Sequence, residues 1–321
     1  FALSSAAMFS EGEESADFDP LQAAAKSSAR LVFQLWDDLI TPSLVEISSG
    51  SSYENSDVEI GGSLSMDGYA WAYYPTVGSV WLNLSNDSGT SNLVAPEIGQ
   101  DGFITYIHEI GHALGLDHMG DYDGDRDAGP VSYQDSTYFS VMSYFGPGWG
   151  EGEYNGEGLV AWADWKSSDG VLYAAQTPML NDIMTIQEIY GADTTTRTGD
   201  TIYGFNSNID GINRQIFDFK QNAHPIITIY DAGGNDTLDL SGWSTPVVID
   251  LAAGAFSSGN GMTDNIAVAY NTDIENAVGG SGTNKISGNA LSNRLVGGVK
   301  NDTIYALLNE IGRAVQQECR D

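Results

Sequence analysis

Residues 108–118 read His-Glu-Ile-Gly-His-Ala-Leu-Gly-Leu-Asp-His and fit the pattern H-E-x-x-H-x-x-G-x-x-H. On a helix, His108 and His112 fall four residues apart on one side, so both imidazoles can reach a single ion. Gly115 permits a left-handed turn that ends the helix and swings His118 round as a third ligand. Three neutral imidazoles suit one zinc ion and leave a coordination position open, the mark of a catalytic rather than a structural site. Water at such an ion has its pKa lowered to about 7, and Glu109 stands beside the ligands as a general base. The chain holds only four histidines and three fall in this stretch, so ordinary core or surface histidines account for it poorly.

A second pattern lies near the other end. Gly279, Gly288 and Gly297 recur every nine residues, as do Asn284, Asn293 and Asp302, and Ile286, Leu295 and Ile304. A nine-residue period with glycine-rich turns and one aliphatic per short strand signals a parallel β-roll, each turn stacked on the last. Calcium takes six to eight oxygens from carboxylates and carbonyls. Such turns expose carbonyls and supply charge from an Asp at the sixth position, held here by Asp236, then Asn284, Asn293 and Asp302. Asn keeps an oxygen but loses the charge, so the turns at 284 and 293 are expected to bind calcium weakly or not at all. The loop Asp121–Asp127 also carries carboxylates two apart. Its glycine is misplaced for an EF-hand and Ser132 stands where the closing Glu belongs, so a solvated loop is expected.

These groups need a scaffold, and the composition provides for one. The 321 residues carry 44 acids against 12 bases, for a net charge of -32, with 41% hydrophobic and 11% aromatic residues. That is core enough for two or three domains. The acidic surface argues against nucleic acid or an anionic membrane as the main partner, and suits solubility in a calcium-rich exterior. No apolar run reaches 18 residues, so no transmembrane helix is expected. Cys319 is the only cysteine, which excludes an intrachain disulfide. Phe1 is not an initiating methionine and no signal peptide is visible, which suggests a processed chain.

Helical spacing is readable over Pro20–Leu39, over Phe103–Leu114 with Asp101 as N-cap, and over Leu180–Tyr190 with Gly191 as the stop. Residues 58–84 read as strands, with Tyr69, Trp71 and Tyr73 alternating with smaller residues. The segment Asp67–Tyr73 is the candidate edge strand for an extended peptide, with those three aromatics as substrate contacts and Gly78–Leu84 as the alternative edge. From Arg197 on, short β-type runs such as Pro225–Tyr230 and Val247–Leu251 alternate with Gly/Asp/Asn turns. The final residues, with Leu308, Ile311 and Val315, break the period and read as an amphipathic helix.

The chain resembles the metzincin zinc endopeptidases, and more narrowly the serralysins. Ser140-Val141-Met142-Ser143-Tyr144, placed 24 residues after His118, resembles the Met-turn. The resemblance implies that Met142 lies beneath the zinc, and that Tyr144 ligates zinc at rest and swings away to stabilise the oxyanion. Thr177–Ile183 through Tyr190-Gly191-Ala192 looks like the family's last catalytic-domain helix. Arg197–Phe205, Asp231–Asp239 and Ile274–Gly280 resemble its calcium junction and roll core. Carried over residue by residue, one calcium site would use carbonyls of Arg197, Gly199 and Thr201 with Gly233, Asp231 and Asp236. A second would use Gly234, Asp236, the Asp273 carbonyl and Glu275, so that Asp236 bridges two ions. The departures are Met119 where proline is expected after His118, a short roll, and an ending, Glu318-Cys319-Arg320-Asp321, without the family's aliphatic secretion signal.

The expectation is therefore an α+β chain with a metzincin-like zinc protease domain over 1–195. An all-β calcium-binding β-roll would span 196–305 and a divergent helical tail 306–321. It would act as a secreted, extracellular, monomeric zinc endopeptidase on proteins or peptides, stabilised by two or more calcium ions. The alternative is a calcium-binding adhesion protein with a silent protease domain.

Overall fold

The computed structural model describes residues 1–4, 17–47, 56–122, 129–147, 160–306 and 316–318. Most of the Asp121–Asp127 loop lies outside them. The first half is built on a sheet of β1 (Ala2–Leu3), β2 (Phe18–Asp19), β3 (Glu59–Ser63), β4 (Ala70–Ala72) and β5 (Ser79–Asn83). Its order is β1-β3-β5-β4, with β2 also on β3. β3 runs parallel to β5, whereas β4 is antiparallel to β5 and has no partner on its other side among the described strands. β4 is thus the edge, as the alternation of Asp67–Tyr73 suggests, and the Gly78–Leu84 segment is interior.

The sheet is covered on both sides, which is why β5 is buried along its whole length, with Val80, Trp81 and Leu82 in unbroken succession. Val80 and Leu82 join the main core with α1 (Ala23–Asp37) and α2 (Asp101–Ala113), while Trp81 faces Met66, Phe18 and Trp71. α1 buries Val32, Phe33, Leu35 and Trp36, and begins at Ala23 rather than Pro20. α2 begins at Asp101 itself with Gln100 as N-cap, so Asp101 is a first-turn acid rather than the cap. Its carboxylate accepts from Thr90 Oγ1 at 2.8 Å, and its charge suits the positive end of the helix. α3 (Leu180–Tyr190) falls where the spacing placed it and is followed by Gly191 at φ 79°.

The second half is wound rather than layered. After β6 (Ile202–Gly204) and the short α4 (Arg214–Phe217) come β7 (Ile227–Ile229), β8 (Thr237–Asp239), β9 (Val247–Asp250), β10 (Phe256–Ser257) and β11 (Ile266–Val268). β12 (Asn276–Val278), β13 (Asn284–Ser287), β14 (Arg294–Val296), β15 (Thr303–Tyr305) and β16 (Gln316–Glu318) follow. These last strands alternate between two parallel sheets, β16-β14-β12-β8-β6 and β15-β13-β9. Ala277 pairs with Leu295, and Ile286 with Ile304, so each step within a sheet spans two nonapeptides. Ala277, Ile286 and Leu295 are fully buried between the sheets, which makes the periodic aliphatic the core of the coil. The expected tail helix is corrected only at its end; its apolar residues Leu308, Ile311 and Val315 lie outside the described residues. Gln316–Glu318 form a strand parallel to β14, because the sheet edge offers that backbone a ladder of partners. Residues 307–315 lie outside the described residues.

The halves share one hydrophobic core that runs from Leu3 to Leu295. A polar knot closes the seam. The Arg197 guanidinium pairs with Asp38 at the end of α1, donates to Tyr230 O at 2.7 Å, and touches Tyr203 Oη at 2.9 Å. Asn213 Nδ2 reaches the same Asp38 oxygen at 2.6 Å. α3 is tied in by Thr228 N donating to Thr177 Oγ1 at 2.8 Å.

Candidate metal centre and active site

α2 presents His108 and His112 from one side, and Gly115, at φ 103°, turns the chain back as a side chain bearing a Cβ rarely permits. The turn delivers His118 to the same point. The three Nε2 atoms stand 3.0 Å (108–112), 3.0 Å (112–118) and 3.3 Å (108–118) apart. The opposite nitrogens fix the protonation. His108 Nδ1 lies 2.7 Å from Val141 O and His112 Nδ1 2.8 Å from Leu116 O. Carbonyls only accept, so both Nδ1 atoms carry hydrogen and both Nε2 lone pairs face the shared point. Burial, with His112 beside it, holds His108 well below the usual imidazole range, in the neutral form that ligates metal. Lone pairs converging at about 3 Å repel one another unless a cation lies between them, so this donor set fits zinc. Among the described residues it is the only group of three His, Cys, Asp or Glu with ligand atoms within 4.8 Å of one another.

Glu109 is buried next to the triad, and its Oε2 has no hydrogen-bond partner. Burial pushes its carboxyl up to about 8. The metal centre opens into a cavity of about 620 Å³ that Glu109, Tyr144 and Tyr122 also line. The Tyr144 ring lies 4.6 Å from that of His118 and 5.8 Å from that of His108. Met142 is buried against α2, and a Cβ on Gly111 would meet its sulfur at 3.0 Å and Trp36 at 3.2 Å. Glycine between the two helical ligands lets both large side chains pack against α2.

The cavity corrects the aromatic contacts. Trp71 lines it, with Ala70, Ala72 and Tyr74, but Tyr69 and Tyr73 do not. Tyr69 packs against the core and donates to Ser91 O at 2.7 Å. Tyr74 was missed; its ring meets His112 edge-on at 5.5 Å and its hydroxyl donates to Asp117 Oδ1 at 2.8 Å. The chain leaves strand geometry after Ala72, so strict alternation no longer tells which side chain faces the cavity.

Two buried carboxylates also escaped the sequence reading. Asp182 accepts from Ser140 Oγ at 2.6 Å, Val141 N at 2.8 Å and Met179 N at 2.8 Å. Asp135 accepts from Ser143 Oγ at 2.7 Å and Tyr122 Oη at 2.6 Å, and Tyr122 stacks on His118. Together they pin the 140–144 loop from both sides, and Val141 relays Asp182 to His108. Burial pushes Asp182 up to about 6 against these donors. In the sequence, Asp182 looks like any first-turn acid of a helix, and nothing marks Asp135.

Residues 192–317 match the family described as Peptidase M10 serralysin C terminal. Over most of its length the chain is similar to Serralysin C of Dickeya chrysanthemi, 39% identical over 280 residues covering 83% of this chain and 53% of the relative. Metalloprotease AprA of Pseudomonas entomophila is 38% identical over 292 residues, 87% of this chain and 56% of its own. A serralysin of Photorhabdus laumondii is 36% identical over 295 residues, 87% and 56%. The chain is of the serralysin type. It spans about half the length of these curated relatives.

In this serralysin-type chain the proposed calcium ligands divide. Asp236 is fully buried; its Oδ1 accepts from Thr201 N at 2.7 Å, and its Oδ2 has no partner. Its own N–H donates to Glu275 Oε2 at 2.7 Å. Thr201 Oγ1 donates to Gly199 O at 2.9 Å, and a Cβ on Gly234 would stand 2.6 Å from both that carbonyl and Asp236 Oδ1. Gly199, Thr201, Gly234, Asp236 and Glu275 thus form one oxygen-rich cluster. Burial, with Asp231, Glu275 and Asp200 nearby, pushes Asp236 up to about 7. A buried carboxylate oxygen without a donor, among exposed carbonyls, is what a hard cation satisfies, so the cluster fits calcium. Asp231 turns partly elsewhere, accepting from Tyr203 Oη at 2.7 Å and Gly233 N at 2.9 Å. Arg197 sends its side chain inward to Asp38, and Asp273 is an exposed residue just before β12.

Proposed function

We propose that the chain carries the catalytic and calcium-bearing portion of a secreted zinc endopeptidase that acts on protein or peptide substrates. One observation carries this reading: three Nε2 atoms meet at a point beside a buried, unpartnered carboxylate oxygen. Zinc on His108, His112 and His118 would supply a Lewis acid that polarises a carbonyl and acidifies water. Glu109, desolvated and strengthened as a base, takes the proton of the attacking water and returns it to the leaving nitrogen. The Tyr144 hydroxyl donates to the developing oxyanion. The free edge of β4 offers backbone groups to an extended peptide, with Trp71 and Tyr74 as side-chain contacts.

In this reading residues 1–195 form the metzincin-like protease domain and 196–305 a calcium-binding β-roll that the final strand extends. Support for the roll comes from the alternation of β12 to β16 between two parallel sheets and from the orphaned Asp236 oxygen. Export follows from the same reading, since calcium of the affinity such turns provide is plentiful outside cells. The test is digestion of casein and of a peptide library before and after a zinc chelator, with zinc then restored. Loss and recovery of cleavage supports the reading, and zinc-loaded, folded protein that cleaves nothing overturns it.

A further inference from the structure

The nonapeptide turns differ in one atom with large consequences. At Asp236, the buried Oδ2 lacks a donor. No buried side-chain oxygen or nitrogen between residues 279 and 302 is left in that state. The reason is where the amides point. Asn284, 1% exposed, donates its Nδ2 to Gly280 O at 3.0 Å, Gly282 O at 3.1 Å and Asp302 Oδ1 at 2.7 Å. Its Oδ1 accepts from Gly280 N at 3.0 Å. Two carbonyls of one turn and a carboxylate from a later one therefore surround a nitrogen bearing partial positive charge. Three oxygens from two neighbouring turns on the same side of the coil, facing one point, are otherwise a cation's ligand set. On the other side of the coil Asn293 Nδ2 donates to Glu275 O at 3.1 Å and to Asn289 Oδ1 at 2.7 Å. Asn289 Nδ2 in turn donates to Leu251 O at 3.0 Å and Ile274 O at 2.9 Å.

We propose that the side-chain amides of Asn284 and Asn293 stand in the place of calcium, so that the turns from 279 to 302 are sealed without metal. Calcium does not fit there: the amide nitrogen already occupies the point where the oxygens meet, and no acceptor is left wanting. The metal dependence of the coil is confined to the cluster around Asp236, and its far part is locked by Asn–carbonyl bridges. The charge lost at these positions is therefore an exchange of one cross-turn link for another rather than decay of a repeat. The idea uses no property of the zinc centre, so failure of the peptidase reading leaves it standing.

The experiment uses the full chain, stripped with a calcium chelator and then given calcium alone. Hydrogen–deuterium exchange in chelator should leave residues 276–305 protected while 197–239 lose protection. Asn284→Asp replaces the donor by a carboxylate facing Asp302 and two carbonyls. The variant should bind one calcium more than the wild type by calorimetry, and its melting temperature should become more dependent on calcium. Folding of this variant only when calcium is present supports the same conclusion. Wild-type loss of protection across 276–305 together with 197–239, or an Asn284→Asp variant with unchanged calcium count and melting behaviour, overturns it. If the variant folds under neither condition, the wild-type exchange pattern decides.

Discussion

A carboxylate stripped of water holds its proton more tightly than one in solution, and Glu109 has been placed to exploit this. Glu109→Gln keeps the shape of the side chain and removes the base. It should retain zinc and fold while losing roughly 10²–10⁴-fold in kcat; metal content and peptide hydrolysis on the same sample check both halves. Tyr144→Phe removes one hydroxyl from the cavity wall. As an oxyanion donor that hydroxyl should cost about 10²–10³-fold, in kcat rather than KM, and a change confined to KM removes the role. Asp182 touches neither metal nor cavity, yet it holds the N–H of Val141, the residue whose carbonyl orients His108. Asp182→Ala should weaken zinc retention by about tenfold, with partial recovery in Asp182→Asn, which keeps one acceptor. Zinc affinity equal to wild type in both variants would mean that Asp182 is merely a packing residue.

The elements were legible in unequal measure. α2 and α3 announce themselves by helical spacing and a terminal glycine, and the coil by its period of nine. The aliphatic at each repeat is what the two sheets bury. The aromatics around β4 were misassigned because two-residue alternation holds only while the strand lasts, and this one ends at Ala72. The carboxylate props Asp135 and Asp182 were invisible because their partners come from distant segments. The last strand, Gln316–Glu318, holds no apolar residue, so no alternation could mark it in the sequence. At this scale the calcium cluster makes a pH prediction. Without the ion, burial raises Asp236 from its ordinary 3.8 to about 7. A raised value means that its contribution to stability is fully present below the ordinary carboxylate pKa and is lost as pH rises through about 7. Chelated protein should therefore melt higher as pH falls from 8 towards 4, and calcium should flatten the trend. Asp236→Ala should abolish both the calcium response and the slope, and Asn293→Ala neither. Equal effects at the two positions contradict the division between metal-held and amide-held turns.

Across the whole molecule, the two halves are stitched through Asp38, which meets Arg197 and Asn213 at the seam with only 11% of its side chain exposed. Asp38→Ala strands a buried guanidinium, at a cost of roughly 3–5 kcal/mol. The variant should melt earlier, with the coil and the first half separating into two transitions by calorimetry; a single unshifted transition shows that the apolar core alone joins them. Val141 carries a further meaning. Its carbonyl holds a residue of α2, but its amide is held by a residue of α3, far later in the chain. A nascent polypeptide that has just exposed His108, Glu109 and His112 has two of the clustered imidazoles and the carboxylate between them, but no means of aiming the first. The aim arrives with Asp182, when more than half of the described chain has already been made. If the proposed peptidase reading holds, a centre assembled in this order stays silent until the segment that steadies it has folded back to meet it.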